Sequence, residues 1–500
     1  MLKNWKLKND FSVAVTFCLL LGAFALTITA IGFRPKEVKE FFMNWLTLRG
    51  AALLLNVIIF ALLAPAACRL RKQGFCSSHT LGIFISITLL FFTDLVCELV
   101  FKFHAISIWL LRVEYFAIVI WGMKEYKSFL KWILENLNQI LLEKIIYKII
   151  FGFIVFFLFR EILHHYFTRP DKPFEDEIHW WFTGAKEFMN LGLAAGIKNH
   201  WYGDYTPAIP WCISIAPRLI GAHKEIFLLG FAAIPVLFFL FFSFEVLGTS
   251  KAFLSILCLI FFMFEISRDF LFHVAASLYG GALNALLITC ILYEINFLIR
   301  KNKMPDSKKL ISLGILVGFC RLTKPPLSFL IWYAAIVFIS YWLIRFRKNL
   351  KKSVSSLFYF VIFSSLPFLI WKFYLQTIGK KPTYQVKVSE FTENGINLSV
   401  PLGMIGGLFN RGTPQSAYAW ALCISLILSC WLHAWRTLKL QLILLLIYWG
   451  FVFGLYATVW QHGDFNSAGR YLSHAAVSCV LMLSFAFQEN KEMTKGYSSK

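Results

Sequence analysis

Long apolar segments separated by short polar intervals run along the whole chain. Their lengths are close to the ~20 residues that an α-helix needs to cross the hydrocarbon core of a bilayer. This pattern predicts an all-α fold, a polytopic transmembrane helical bundle. We predict spans at about 11–33, 49–68, 81–101, 106–123, 145–163, 226–248, 252–267, 279–299, 309–322, 326–345, 354–375, 416–434, 439–459 and 471–488.

The segment 207–222 has two interpretations. It is apolar but short, and it contains three prolines and Arg218. It is either a full span or a re-entrant or interfacial helix. We prefer the second interpretation, because the basic runs at 300–309 and 345–352 and the tail 491–500 then share the cytoplasmic side, as the positive-inside rule requires. On this topology the outer face holds the polar segments 164–225, 266–278, 321–326, 376–415 and 460–470.

Composition supports a membrane protein and argues against nucleic-acid binding. The chain is 58% hydrophobic and 15% charged, with a mean hydropathy of +0.66. Its net charge of +22 comes from basic residues in short loops between spans, which the positive-inside rule explains. The 11 cysteines lie mostly in apolar segments without a CxxC pair, so we interpret them as small buried hydrophobic residues.

Charged residues also fall inside the predicted spans. Asp94 and Glu98 are four residues apart and share one helix face, and Arg112 and Glu114 follow on the next span. Charges in a bilayer usually pair in the interior of the bundle. We predict that Arg112 neutralises Asp94 or Glu98, and the alternative is a second functional site.

The longest polar interval, 169–210, contains an acidic triplet at 175–177 and a predicted short amphipathic helix at 178–188. Asp176 and Glu177 are adjacent, so on a helix they point about 100° apart and cannot face one another. One can act as a base while the other binds a cation, a hydroxyl or a helix N-terminus. Helix capping is the alternative role. We expect Trp180 to anchor the interface or to stack on a sugar ring.

Two basic positions lie at predicted span ends on the outer face. Lys324 precedes two prolines, which end the helix, so it and Arg321 can project together and bind a phosphate or diphosphate. Arg470 stands before the last span and can bind a lipid-borne phosphate. Snorkelling to headgroups is the alternative for each of them. His462 and Asp464 give a weak signal for a metal site.

Several sequence elements, taken in their order along the chain, resemble the GT-C superfamily of integral-membrane glycosyltransferases. The resemblance covers about residues 145–490 and is greatest to the branch with protein mannosyltransferases and the aminoarabinose transferase of lipid A. The elements are Asp176 and Glu177 with Trp180, Ala185 and Lys186; Asp204, Tyr205, Thr206 and Pro207; the segment 318–324; and Gly469, Arg470, Tyr471 and Leu472.

The resemblance implies an enzyme that takes a sugar from a polyprenyl-phosphate donor and passes it to a lipid, glycan or protein acceptor. The reaction would take place on the extracytoplasmic face of a multi-pass protein in a bacterial inner membrane. Asp176 would be the general base, Glu177 an auxiliary acid or hydroxyl ligand, and Lys324 with Arg470 would stabilise the leaving phosphate. The remaining residues expected to bind substrate are Arg321, Tyr471, Asp204, Tyr205 and Trp180.

The need for Mg²⁺ or Mn²⁺ stays open, because Tyr279, Gly280, Gly281 and Ala282 stand where the family often has a second acid.

The resemblance also predicts a catalytic membrane domain at 144–490, with short amphipathic helices in its long first outer loop. Residues 1–143 would be an added four-span module, and 491–500 a basic cytoplasmic tail. The alternative functions are a glycan polymerase or ligase that uses Arg470, His462 and His474, and a transporter or flippase for lipid-linked sugars.

Overall fold

The structure, a computed structural model, describes residues 48–101, 107–142, 181–199, 206–221, 281–301, 306–323, 339–347, 350–382 and 395–408, with single positions at 234, 237, 450, 452–454 and 457. This part of the chain is mostly helical and contains no strand, which confirms the all-α prediction for it. The helices are α1 (Leu48–Ala61), α2 (Ala64–Lys72), α3 (His79–Leu99), α4 (Ser107–Met123), α5 (Tyr126–Leu142), α6 (Thr183–Asn199), α7 (Ala208–Ile220), α8 (Gly281–Lys301), α9 (Ser307–Arg321), α10 (Leu350–Thr377) and α11 (Ser399–Leu408).

Within the described residues, three helical segments are long and apolar enough to cross a membrane. They are Leu54–Lys72, His79–Leu99 and Leu357–Thr377, and they overlap the spans predicted at 49–68, 81–101 and 354–375. Helices α4, α8 and α9 overlap three further predicted spans. The chain is therefore a helical membrane protein. Outside the described residues, wholly or largely, lie the spans predicted at 11–33, 145–163, 226–248, 252–267, 326–345, 416–434, 439–459 and 471–488.

Close packing of α9 against α10 depends on two glycines four residues apart. A Cβ atom on Gly314 would lie 2.8 Å from the carbonyl oxygen of Phe360, and one on Gly318 would lie 2.8 Å from that of Phe363. The absence of side chains at these positions lets the two backbones approach, as small residues do between membrane helices. Gly82 of α3 allows the same approach to α2, because its Cβ would lie 2.8 Å from α2 backbone atoms.

Helices α3, α9 and α10 run parallel, so the described bundle has two distinct ends. The rings of Phe91 in α3 and Phe319 in α9 are 5.1 Å apart, each twelve residues from the start of its helix. At the starts of these helices Lys308 donates a hydrogen bond to the carbonyl of Gln73. We call this the basic end, after its side chains Arg71, Lys72, Lys124, Lys308 and Lys309. The opposite end, where α3 and α9 finish, is the site end.

Helix α5 occupies an interval, 124–144, for which the sequence analysis assigned no element. It follows α4 after a short turn at the basic end. Lys72 at the end of α2 forms an ion pair with Glu125 and donates a hydrogen bond to Ser128 at 2.8 Å. The ring of Trp132 packs 4.1 Å from the ring of His79. These contacts fix α5 to the ends of α2 and α3.

Candidate functional site

A fully buried charge cluster joins α3 to α7 near the site end. The guanidinium of Arg218 donates a hydrogen bond of 2.7 Å to Oδ2 of Asp94 and one of 3.2 Å to Oε1 of Glu98. All three side chains have no solvent-exposed surface. One planar guanidinium thus bridges two carboxylates on successive turns of α3, a geometry that suits the fork of arginine and not the point charge of lysine.

The two carboxylates also bind neutral donors. The indole Nε1 of Trp211 in α7 donates to Oδ2 of Asp94 at 2.6 Å. The backbone N–H of Ala194 in α6 donates to Oε2 of Glu98 at 2.9 Å. The cluster therefore ties α3 to both α6 and α7, and each carboxylate has a charged and a neutral donor, which offsets the loss of hydration on burial.

The structure contradicts the prediction that Arg112 neutralises these acids. Arg112 donates from Nε to the backbone carbonyl of Arg218 at 3.0 Å, and its guanidinium carbon lies 4.9 Å from the ring centroid of Trp109. The physical reason is that the guanidinium of Arg218 in α7 already reaches both acids, whereas the Arg112 side chain turns to the backbone of α7. Arg112 therefore supports the last turn of α7 from outside the cluster.

The bond from Ala194 exists because α6 is broken at Gly192. This glycine has φ 81° and ψ 173°, a conformation that a residue with a Cβ rarely adopts. The break starts a new helical segment, whose first N–H groups have no partner within the helix, and Glu98 accepts one of them. The helix predicted at 178–188 is thus longer, since α6 continues to Asn199. Tyr374 of α10 fixes the same turn by donating to the carbonyl of Ala194 at 2.7 Å.

The chain at the start of α7 contacts the end of α9, and both belong to sequence elements identified above. Just before it, Thr206 donates from Oγ1 to the carbonyl of Thr323 at 3.0 Å, and the N–H of Ala208 donates to the carbonyl of Leu322 at 3.1 Å. The chain immediately after Asp204 and Tyr205 therefore contacts the chain immediately before Lys324. Thr206 and Thr323, which belong to two of the family-like sequence elements, are thus in contact at the site end.

The length of α7 agrees with the preferred re-entrant or interfacial interpretation of 207–222. Its 13 residues span about 20 Å at 1.5 Å per residue, which is less than the ~30 Å hydrocarbon core. Nearly all of its side chains are buried, including Arg218 and Trp211. A short helix buried in the bundle satisfies its own backbone and needs no contact with lipid.

Among the predicted site residues, the structure describes Arg321. It is half-buried at the end of α9, and its guanidinium carbon lies 3.8 Å from the ring centroid of Phe368. Of the other family-like positions, Ala185 is buried and Lys186 lies over the ring of Phe182. Outside the described residues lie Asp176, Glu177, Trp180, Asp204, Tyr205, Lys324, Arg470 and Tyr471, and also His462, Asp464 and His474; their roles stay predictions.

Among the residues that the structure describes, no group of three or more His, Cys, Asp or Glu side chains could hold a metal ion. The buried cluster itself pairs its two acids with an arginine.

The sequence analysis placed Arg218 inside an apolar segment but did not pair it with Asp94 and Glu98. The available signal was charge complementarity, because an arginine and two acids in apolar segments need partners of opposite sign.

The described residues thus belong to an α-helical membrane protein with a buried acid–arginine cluster beside a broken helix. Comparisons of the chain with models of protein families, with curated proteins and with solved structures found no match.

Proposed function

We propose that this protein is a membrane glycosyltransferase of the GT-C type, which moves a sugar from a polyprenyl-phosphate donor to an extracytoplasmic lipid, glycan or protein acceptor. The observation that supports it best is the pair of hydrogen bonds from Thr206 and Ala208 to the end of α9. They bring the chain next to Asp204 close to the chain next to Lys324. Two elements of the family-like pattern, far apart in sequence, thus belong to one end of the bundle.

The proposed reaction is a single displacement at the anomeric carbon of the donor. Asp176 takes the proton of the acceptor hydroxyl, whose oxygen bonds to the anomeric carbon as the bond from that carbon to the phosphate oxygen breaks. The polyprenyl phosphate leaves with one additional negative charge. Lys324 and Arg470 stabilise this charge, and Glu177 orients the acceptor hydroxyl.

In this proposal the buried cluster positions the site and takes no part in the chemistry. Arg218, Asp94 and Glu98 hold α6 and α7 against α3. These two helices flank the segment 200–205, which carries Asp204. Catalysis is sensitive to misplacement by about 1 Å, so a rigid buried anchor on both sides of the segment is an advantage.

The first test replaces the proposed base. Cells that lack the protein, complemented with wild type or with Asp176→Asn at equal expression, are compared by the mass profile of their envelope glycans. We expect the deletion and Asp176→Asn to lose the same sugar unit, because the amide cannot accept the proton. Glu175→Gln is the matched control, since it removes a neighbouring acid without an assigned role, and it should restore the wild-type profile.

If Asp176→Asn restores the complete profile, the acidic triplet is a helix cap and the proposal fails.

The contact between Thr206 and Thr323 has its own test in Thr206→Val, which removes the hydroxyl bound to Thr323. We expect it to lower the amount of the transferred sugar. Thr377→Val removes a hydroxyl that bonds within its own helix, and it should not.

A second function, transport of a lipid-linked sugar, is favoured by one observation. Helix α6 is broken at Gly192 and binds the buried acid Glu98 through Ala194. Broken helices next to intramembrane charges are typical of transporters. Purified protein in vesicles that hold a lipid-linked sugar distinguishes the two functions. Movement of the labelled lipid across the bilayer without formation of a glycosylated product would support transport and exclude the transferase.

A further inference from the structure

Exposed apolar side chains line one face of α4 and one face of α5. On α4, Trp109, Val113, Phe116 and Ile120 are each more than half exposed, and their spacing of four, three and four residues puts them on one helix face. On α5, Tyr126, Leu130 and Leu134 follow at a spacing of four residues and are also exposed. The exposed face of α4 is the expected lipid-facing side of a membrane helix, and we call the exposed apolar face of α5 its apolar ridge.

Helix α5 and the turn before it add positive charge beside this ridge. Lys124, Lys127 and Lys131 are exposed. Of the acidic groups on the same stretch, Glu125 pairs with Lys72 of α2, and Glu135 lies 3.7 Å from Lys131, so Lys124 and Lys127 make up the excess of positive charge. The exposed surface of α5 thus combines an apolar ridge with an excess of lysine.

The contacts of α5 show its direction relative to the bundle. Its first turn is held by Lys72, at the end of α2, and its second by His79, at the start of α3. Both of these residues lie at the basic end, so the first two turns of α5 stay at the level of this end and do not continue along the bundle axis. A helix that follows a lipid-facing span and stays at the level of its end lies at the level of the headgroups.

We propose that α5 is an interfacial helix that binds the anionic phospholipid surface of the leaflet at the basic end. Tyr126, Leu130 and Leu134 enter the boundary between headgroups and acyl chains, and the lysines bind lipid phosphates. This arrangement has the features of helices that bind in the plane of the interface, and lysine near an anionic leaflet is attracted to it. The proposal does not depend on the proposed enzymatic function.

Hydrogen–deuterium exchange of the full-length protein in nanodiscs tests this. One set of discs contains phosphatidylcholine alone, and the other contains about one third phosphatidylglycerol. We expect the amides of 126–136 to exchange at least about fivefold more slowly in the anionic discs, the factor for one lysine at an anionic surface. The difference should shrink in ~1 M salt, which screens exposed charges.

Two variants separate the charge from the apolar ridge. Lys124→Gln/Lys127→Gln/Lys131→Gln should abolish the difference between the discs, and Leu130→Ser/Leu134→Ser should speed exchange in both kinds. The control Lys198→Gln/Arg347→Gln/Lys351→Gln removes three exposed charges outside α5 and should keep the difference.

Equal exchange of the wild type in both discs would overturn the proposal. Complete protection of these amides in detergent, without phospholipid, would also overturn it. Protein is then what covers α5: a second copy if the protection depends on protein concentration, and another segment of the same chain if it does not.

Discussion

Replacement of Arg218 by methionine should be among the most damaging single changes in the described part of the chain. Methionine fills part of the volume but leaves Asp94 and Glu98 without the cation that bridges them at 2.7 and 3.2 Å. Removing one partner of a buried ion pair typically costs about 3–5 kcal/mol. We expect this loss in the free energy of unfolding, measured by denaturant titration of the protein in lipid–detergent micelles.

The structure supplies both a control and a rescue for this prediction. Arg112→Met removes one hydrogen bond from the edge of the cluster and should cost about 1 kcal/mol. The triple variant Arg218→Met/Asp94→Asn/Glu98→Gln removes the charges of all three cluster residues but keeps acceptors for Trp211 and Ala194, so it should recover most of the loss. The reasoning is refuted if Arg112→Met is as costly as Arg218→Met, or if the triple variant is no more stable than Arg218→Met.

Two further predictions concern helix packing and pH. Gly318→Ala should lower the thermal unfolding temperature, because its Cβ would lie 2.8 Å from the carbonyl of Phe363, whereas Gly406→Ala, with open space around its Cβ, should not. The hydrogen bond from Lys72 lowers the pKa of Glu125 below its ordinary value of 4.5. The folded pKa is thus below the unfolded one, so this pair contributes stability above pH 4.5 and loses it as the pH falls further. At neutral pH the variant Glu125→Gln should therefore be less stable than wild type by no more than about 1 kcal/mol. In acid the thermal unfolding temperatures of the two proteins should become equal.

Hydrophobicity alone predicted the helices that carry long apolar runs. The spans expected at 81–101 and 354–375 correspond to α3 and α10 within a few residues, because a bilayer accepts few backbone structures other than helices. The preference for a re-entrant segment at 207–222 rested on local facts as well, namely its length, its prolines and the distribution of basic residues around it. These features need no knowledge of which helices are neighbours.

Amphipathic and broken helices were less visible in the sequence. Helix α5 has too many lysines and polar residues for a membrane span, so a search for apolar runs passed over it. Helix α6 continues past the predicted end at 188 because Gly192 interrupts it without ending it. A glycine in a sequence signals freedom of the backbone, but the contacts of Glu98 and Tyr374 with Ala194 decide how this freedom is used.

The sequence by itself determined that this chain is a helical membrane protein and that Asp94, Glu98, Arg112 and Glu114 are charges in apolar segments that need partners. Only the tertiary structure decided which charges pair. The two acids are bound by an arginine some 120 residues away in sequence, and not by the arginine of the next helix. Helix periodicity fixes which residues share a face, but the packing of α7 against α3 depends on side chains from several helices at once, and no local pattern records it.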